Sequence, residues 1–114
     1  METKEKATRI VSLLDEKLAT DIVTLGLGEV SLMADYFILA TGKNTRQTKA
    51  LQGYIEEMLT QEGIEPLRIE GSSKGEWILL DYGDVIVHLF TEEQRVYYDL
   101  ERLWKDASRE ILVK

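Results

Sequence analysis

The segment WILLDYGDVIVHLF, residues 77–90, places the strongest constraint on how this chain can fold. Two β-prone apolar runs flank the turn-forming sequence DYGD, residues 81–84, so the segment predicts a β-hairpin. We expect Tyr82 and Gly83 at the centre of the turn. Because both strands are apolar along their whole length, the rest of the chain must cover at least one face of this hairpin.

The two faces of the predicted hairpin differ in chemistry. Residues that lie opposite each other point to the same side of a sheet, and the expected turn places Trp77 opposite His88. One face is then aliphatic and is expected to form the core: Ile78, Leu80, Val85, Val87 and Leu89. The second face is larger and carries two nitrogen-containing rings: Trp77, Leu79, Ile86, His88 and Phe90.

The second face has three possible uses. A helix could cover it, with His88 bound to a backbone carbonyl or a carboxylate, because a buried imidazole needs a hydrogen-bond partner. The face could instead stay partly exposed and bind another protein, since large exposed apolar patches mark interaction sites. It could also form the seam of a homodimer. Arg95 and Tyr98 follow on the next helix, and such residues carry much of the energy of protein interfaces.

The first third of the chain predicts a helix and two strands. Apolar residues recur at helical spacing over residues 3–19, which indicates an amphipathic helix. In residues 21–27, Ile22 and Thr24 alternate with Val23 and Leu25, which favours a strand. Glycines at positions 26 and 28 favour a loop over residues 26–31. Residues 35–41 form a continuous β-prone run, typical of a central strand that is buried on both faces.

The middle of the chain predicts a second helix. Asn44 and Gln47 have the spacing of an N-cap and its reciprocal partner, and Gly63 suits the left-handed residue at the C-terminal end. Tyr54, Met58 and Leu59 are expected to face the core. Residues 65–71 then predict a short strand, opened by the only proline and suited to a sheet edge. A strand, a helix and a strand in this order predict a crossover connection, which is usually right-handed and joins parallel strands.

The last predicted element is a helix from a second capping signature, Thr91 to Gln94, through Trp104. Its expected packing residues are Val96, Leu100 and Leu103. Arg95 could contact a partner or form an ion pair with Asp99 four residues later. We therefore predict one α/β domain over residues 1–114, with a mixed five-stranded sheet packed by helices.

The charge balance bears on the partners that the chain can bind. It has 21 acidic and 14 basic residues, a formal net charge of −7, which disfavours direct nucleic-acid binding and favours a basic protein partner. The one local group of basic residues is Lys43, Arg46 and Lys49. We interpret this group as a solvated face, with a nucleic-acid contact as the lesser alternative.

Two further features indicate a cytoplasmic protein. No apolar run approaches the roughly 18 residues that a membrane-spanning helix needs. The first residues, METKEKATRI, have neither the apolar core of a signal peptide nor the acid-poor composition of a transit peptide.

Little in the sequence points to catalysis. The chain has no cysteine and one histidine, which removes thiolate metal sites and most histidine-based ones. Asp81, Asp84 and Asp99 are candidate metal ligands, but Asp is common in tight turns for another reason, since it can bind its own backbone. The alternative function is a metal-dependent nucleotidyltransferase-like enzyme that uses Asp35 with Asp81 or Asp84. Two aromatic residues follow Asp35 where that chemistry needs a second acid, so no catalytic residue, cofactor or metal site is predicted.

Two blocks of the sequence carry a resemblance to a known family. The first is ADYFILATGKNTRQTKAL, residues 34–51. The second block consists, in order, of Trp77, Leu79, Asp81, Gly83, Asp84, Val87, His88, Phe90, Arg95, Tyr98, Asp99, Leu100, Glu101, Leu103 and Trp104. Together they are similar to the ribosomal silencing factor family, also called the Iojap family, over about residues 7–107. The chain departs from the family pattern at Lys105, where many members carry glycine, and in the tail, residues 108–114.

The resemblance implies a fold, a partner and a site. The fold is α/β with a nucleotidyltransferase-like topology but without catalytic residues, commonly as a homodimer. The function is that of a repressor of translation, which binds the large ribosomal subunit through ribosomal protein L-fourteen and blocks subunit joining when nutrients are limited. A role in large-subunit biogenesis is also implied. The residues expected to bind the partner are Trp77, Leu79, Asp81, Tyr82, Asp84, His88, Phe90, Arg95 and Tyr98.

Overall fold

The protein is described by a computed structural model that covers residues 1–28, 34–105 and 107–110. Part of the predicted loop over residues 26–31 therefore lies outside the described residues. The elements, in chain order, are α1 (Thr3–Glu16), β1 (Thr20–Gly26), β2 (Tyr36–Gly42), α2 (Thr45–Gln61), β3 (Arg68–Glu70), β4 (Trp77–Asp81), β5 (Val85–Thr91), α3 (Glu92–Tyr98), α4 (Leu100–Leu103) and β6 (Ser108–Glu110).

One mixed sheet contains all the described strands, in the order β3-β4-β5-β2-β1-β6. Strands β2 and β5 run parallel, and the other neighbours are antiparallel. The predicted α/β fold with a mixed sheet is confirmed, and β2 is central as expected. The sheet has six strands rather than five because the tail adds β6, whose residue Ser108 pairs with Gly26.

The crossover through α2 joins two parallel strands of one sheet, as predicted. It joins β2 to β3, which run in the same direction in the same sheet, but β5 and β4 lie between them. Strand β3 has only three residues and forms the edge, after Pro66. An edge position suits the proline, because no further strand needs a hydrogen bond from the N–H that proline lacks.

Helices α1 and α2 cover one face of the sheet. Their apolar stripes meet the aliphatic face of the hairpin in a single cluster, as predicted. The fully buried helix residues in this cluster are Ala7, Ile10, Leu13, Leu14, Leu51, Ile55 and Leu59, while Tyr54 and Met58 are partly buried beside them. The sheet contributes Ile38, Ala40, Ile78, Leu80, Val85, Val87 and Leu89.

Local signals fix both ends of α2, as predicted. The side-chain oxygen of Asn44 accepts a hydrogen bond from the Gln47 backbone N–H at 2.9 Å, and the Gln47 side chain accepts one from the Lys43 N–H at 2.6 Å. The first contact satisfies a backbone donor in the first turn of α2, and the second ties Gln47 to the residue before the N-cap. Gly63 has φ +80°, the left-handed conformation expected after the helix.

The predicted register of the hairpin is wrong by two residues. Trp77 pairs with Phe90 and Leu79 pairs with His88, whereas the sequence placed Trp77 opposite His88. The turn has Gly83 and Asp84 at its centre, because Gly83 adopts φ +88° and supplies the positive φ that a tight hairpin turn needs. A shift of two residues preserves the alternation of side chains, so the division into two faces is confirmed.

The predicted helix over residues 91–104 is interrupted at Asp99. This residue has φ +44°, which ends α3 and starts the short α4. Leu100 is buried as expected, but Val96 and Leu103 are 79% and 72% exposed, so their predicted packing role is wrong. Only an unbroken helix would have placed the three residues on one face. The Thr91 side chain makes no capping bond, and Gln94 donates to Glu76 instead.

Two substitutions of glycine by alanine test the turn. At Gly83, the new methyl group would meet only Leu67 at an ordinary contact distance of 3.5 Å, but the positive φ remains. We expect Gly83→Ala to lower the free energy of unfolding by about 1–2 kcal/mol. The matched control, Gly53→Ala on the open surface of α2, should raise it by about 0.5–1 kcal/mol. Urea unfolding measures both, and a neutral or stabilising Gly83→Ala would contradict the turn geometry.

Candidate partner-binding surface

The C-terminal part of the chain covers the second face of the hairpin incompletely. A second buried cluster lies there and consists of Leu25, Leu27, Ala34, Phe37, Leu39, Ile86, Phe90 and Leu100. Trp77, Leu79, Trp104 and Ala107 pack against it while remaining partly exposed. The chain's own helix therefore covers part of this face, and the Trp77 end stays accessible.

His88 lies inside this second cluster and accepts a hydrogen bond from the Trp77 ring. It is only 4% exposed, and Phe37 meets its ring edge-on at 4.7 Å between centroids. Its Nδ1 accepts a hydrogen bond from the Trp77 indole N–H at 3.1 Å, in place of the carbonyl or carboxylate partner that one interpretation expected. Burial lowers the pKa of His88 to about 4. The ring is therefore neutral at pH 7 and carries its proton on Nε2, which has no partner among the described residues.

Trp77 begins a row of aromatic side chains that reaches the surface. Its ring stacks on Phe90 with 5.1 Å between centroids and contacts Tyr98 at 4.4 Å. Tyr98 in turn meets Tyr97 edge-on at 5.1 Å. Tyr98 is 44% exposed and Tyr97 is 78% exposed. We call Trp77, Tyr97 and Tyr98, together with the partly exposed Leu79, the aromatic surface.

A shallow cavity of about 300 Å³ lies beside the aromatic surface. Its lining combines aromatic rings with polar groups: Gly71, Ser73, Lys74, Glu76, Trp77, Gln94 and Tyr98. Mixed lining of this kind suits a protruding side chain of another protein, since the rings supply contact area and the polar rim supplies orientation.

Arg95, a predicted partner-binding residue, is turned into the protein. Its Nε lies 3.1 Å from a Glu101 carboxylate oxygen, and its Nη1 donates to the Thr41 hydroxyl at 2.9 Å. Glu101 also pairs with Arg109 on β6 at 2.8 Å. The Arg95 side chain is 10% exposed, and its ion pair is with Glu101 rather than Asp99. Arg95 thus joins α3, α4 and β6 to the end of β2.

Two of the three predicted residues at the turn, Tyr82 and Asp84, lie apart from the aromatic surface, whereas Asp81 shares a face of β4 with Leu79. Tyr82 is buried with the α1 and α2 cluster on the opposite face, and burial raises the pKa of its hydroxyl above the usual range. Asp81 accepts a hydrogen bond from the Gly83 N–H at 2.8 Å and pairs with Arg68 at 3.2 Å. The interpretation of Asp81 as a turn residue is confirmed, and the nine predicted residues do not form one surface.

Asp84 ties the turn to the start of α1. Its carboxylate oxygens accept hydrogen bonds from Lys6 Nζ at 2.7 Å and from the Thr3 hydroxyl at 2.6 Å. Partial burial alone would raise the pKa of Asp84, but the bonds from Lys6 and Thr3 outweigh it and lower the pKa below its usual value. Within residues 1–28, 34–105 and 107–110, no group of three or more His, Asp or Glu side chains is placed to hold a metal ion.

The most exposed aromatic residue of this region, Tyr97, was not among the predicted residues. The adjacent pair Tyr97 and Tyr98 was the sequence feature that could have indicated it. None of the seven residues of α3 is buried, so its apolar side chains lie at the surface rather than in the core. The basic residues Lys43, Arg46 and Lys49 are also exposed, which agrees with a solvated face.

Comparison with known proteins identifies the family. The family described as "Ribosomal silencing factor during starvation" matches residues 1–114. The chain belongs to the ribosomal silencing factor family. A ribosomal silencing factor of Halalkalibacterium halodurans is 37% identical over 107 residues, which cover 94% of this chain and 92% of that protein. The silencing factor of Bacillus subtilis is 41% identical over 93 residues, with 82% and 79% coverage.

A solved structure has the same fold. The crystal structure of a Chromobacterium violaceum protein superposes with a TM-score of 0.89 at 33% identity and covers 100% of this chain and 95% of that one. Membership of the silencing factor family supports a ribosome-associated, regulatory role. Among the described residues, no helix has the length and apolar character to cross a membrane.

The lowered pKa of His88 predicts that the protein loses stability in mild acid. The unfolded chain takes up a proton on His88 near pH 6.5, whereas the folded protein resists protonation until about pH 4. The free energy of unfolding therefore falls as the pH drops through 6.5 and levels off below 4. Between pH 8 and pH 5, we expect the wild type to lose about 2 kcal/mol more than His88→Asn, which has no titrating group at this position. Equal losses in urea titrations at the two pH values would show that His88 titrates normally.

Proposed function

We propose that this protein is a non-enzymatic repressor of translation that binds the large ribosomal subunit through its aromatic surface. The contact is with ribosomal protein L-fourteen, and the bound protein occupies the site that the small subunit needs. Translation is thereby reduced when nutrients are limited, and the same contact serves large-subunit biogenesis. The chain acts as one domain in the cytoplasm and needs no cofactor. The observation that supports this proposal most is the accessible row of Trp77, Tyr98 and Tyr97.

The aromatic surface has the chemistry of an interface centre. Trp and Tyr supply large, rigid contact area at a low cost in conformational entropy, and they dominate the energetics of many interfaces. A stable contact buries roughly 800 Å² on each partner, which is more than the aromatic surface alone provides. Exposed apolar residues on the neighbouring helices, Val96 and Leu103, would extend it.

The charges around the aromatic surface favour a basic protein partner. Glu92, Glu93 and Asp99 are exposed beside the aromatic row on α3 and its C-terminal end. The whole chain carries a net charge of −7. Acidic groups at the rim of an interface increase the rate at which a basic partner associates, while the apolar centre supplies most of the affinity.

Substitutions in the aromatic surface test the proposal directly. We expect Trp77→Ala to weaken co-sedimentation with isolated large subunits about thirtyfold, because truncation of a central Trp commonly costs about 2 kcal/mol or more. Tyr97→Ala, which removes a side chain with few internal contacts, should weaken binding about tenfold without loss of stability. Both variants should restore the joining of small and large subunits in a reconstituted assay.

The matched control is Leu18→Ala, another exposed apolar side chain, which lies in the turn between α1 and β1. We expect it to bind as the wild type does. If Trp77→Ala and Tyr97→Ala are folded by circular dichroism and still bind at wild-type affinity, the aromatic surface is not the docking site. If they instead convert a dimer to a monomer in sedimentation velocity and leave subunit binding intact, the surface is a homodimer seam.

A further inference from the structure

The hydrogen bond between Trp77 and His88 determines what the Trp77 ring can offer to a partner. An indole has a single N–H donor, and in Trp77 this donor points inward to Nδ1 of His88 at 3.1 Å. Trp77 is partly exposed, so the rest of its ring is what reaches solvent. A partner that meets Trp77 therefore contacts the carbon atoms of the ring rather than the N–H.

His88 itself is too deeply buried to contact a partner. It is 4% exposed and lies between Phe37, with 4.7 Å between ring centroids, and Phe90, with 6.2 Å. The strand register explains the arrangement, because Leu79 pairs with His88 and Trp77 is two residues before Leu79 on the same face. Such diagonal neighbours lie within reach of long aromatic side chains.

The hydrogen bond adds a directional contact to the packing of the Trp77 ring. Phe90 stacks on it with 29° between ring planes, and Tyr98 contacts it at a 48° tilt. These ring contacts are broad and weakly directional, so they tolerate small rotations of the indole. A hydrogen bond is directional and limits such rotations. The neutral ring that burial maintains leaves Nδ1 free to accept it.

We propose that His88 is a positioning residue, which acts through the Trp77 indole N–H to hold the Trp77 ring in the orientation that binds the partner. This inference rests on the proposed docking function and extends it. Preorganisation of a side chain before binding raises affinity, because the loss of rotamer freedom occurs during folding rather than during association. His88 thus contributes to binding without touching the partner.

A double-mutant cycle separates positioning from general stability. We expect His88→Leu, which removes the acceptor, to weaken large-subunit binding about five- to tenfold when position 77 is Trp. In the Trp77→Phe background there is no N–H to orient, so the same substitution should change binding less than twofold. His88→Asn retains an acceptor near the position of Nδ1 and should recover most of the lost affinity. His88→Met replaces His88→Leu if the latter does not fold.

A second readout uses the free protein and does not depend on the ribosome. The Trp77 indole N–H gives its own signal in ¹H–¹⁵N spectra and should exchange slowly with solvent in the wild type and in His88→Asn. In His88→Leu its exchange should become at least tenfold faster. Spectra of Trp104→Phe identify which of the two indole signals belongs to Trp77.

Two results would overturn the inference. Equal losses of subunit binding from His88→Leu in the Trp77 and Trp77→Phe backgrounds would show that His88 only stabilises the fold. Unchanged indole exchange in His88→Leu would show that the bond does not hold the ring. If Trp77→Ala itself leaves subunit binding intact, the proposed function fails, and the exchange measurement still decides whether His88 positions the Trp77 ring.

Discussion

The β4–β5 hairpin, apolar on both faces, is the constraint on which the rest of this structure depends. Six of the seven residues of β5 are buried, so a layer must pack against each face of the sheet. Helices α1 and α2, with 14 and 17 residues, cover the aliphatic face completely. The other face has a smaller cover, which includes Leu100 of the four-residue α4 together with Leu27, Ala34, Trp104 and Ala107. This smaller cover leaves the Trp77 end accessible.

Both apolar packing and charge hold the C-terminal cover on the sheet. The helix break at Asp99 turns Leu100 into the second cluster and leaves Val96 and Leu103 exposed. Arg95 then bridges Thr41 and Glu101 with little exposure of its own. Partly buried, charge-assisted bonds of this kind are stronger than those between exposed ions. One arginine therefore holds the element that presents Tyr97 and Tyr98.

Local signals in the sequence predicted most of the fold. The N-cap at Asn44, the left-handed Gly63 and the two faces of the hairpin all follow from short-range chemistry or from alternation, and all are confirmed. The hairpin register was wrong because two turns one residue apart both agree with the alternation. The backbone bond from the Tyr82 N–H to the Val85 carbonyl, which the sequence does not reveal, separates them. Strand β6 was missed because three residues at a sheet edge show no periodicity.

The candidate site was harder to predict than the fold because exposure is a tertiary property. Phe90 on β5 and Tyr98 on α3 are both aromatic residues of the resemblance motif, yet Phe90 is fully buried and Tyr98 is 44% exposed. Arg95 has the chemistry of an interface residue and is used internally. Family resemblance groups such residues together, since structural and binding residues can occupy one motif. Only the packing of the folded chain distinguishes motif residues that can touch a partner from motif residues that hold the aromatic surface in place.

Hydroxyl-radical footprinting of the protein, free and bound to large ribosomal subunits, shows whether the aromatic surface is the docking site. The method reports the solvent exposure of each reactive side chain without any substitution. The aromatic surface should become protected on binding, with Trp77, Tyr97 and Tyr98 losing most of their reactivity, while Tyr54 on α2 keeps its own. Protection confined to α1 and α2, with Tyr97 as reactive as in the free protein, would show that the protein docks through its helix layer instead.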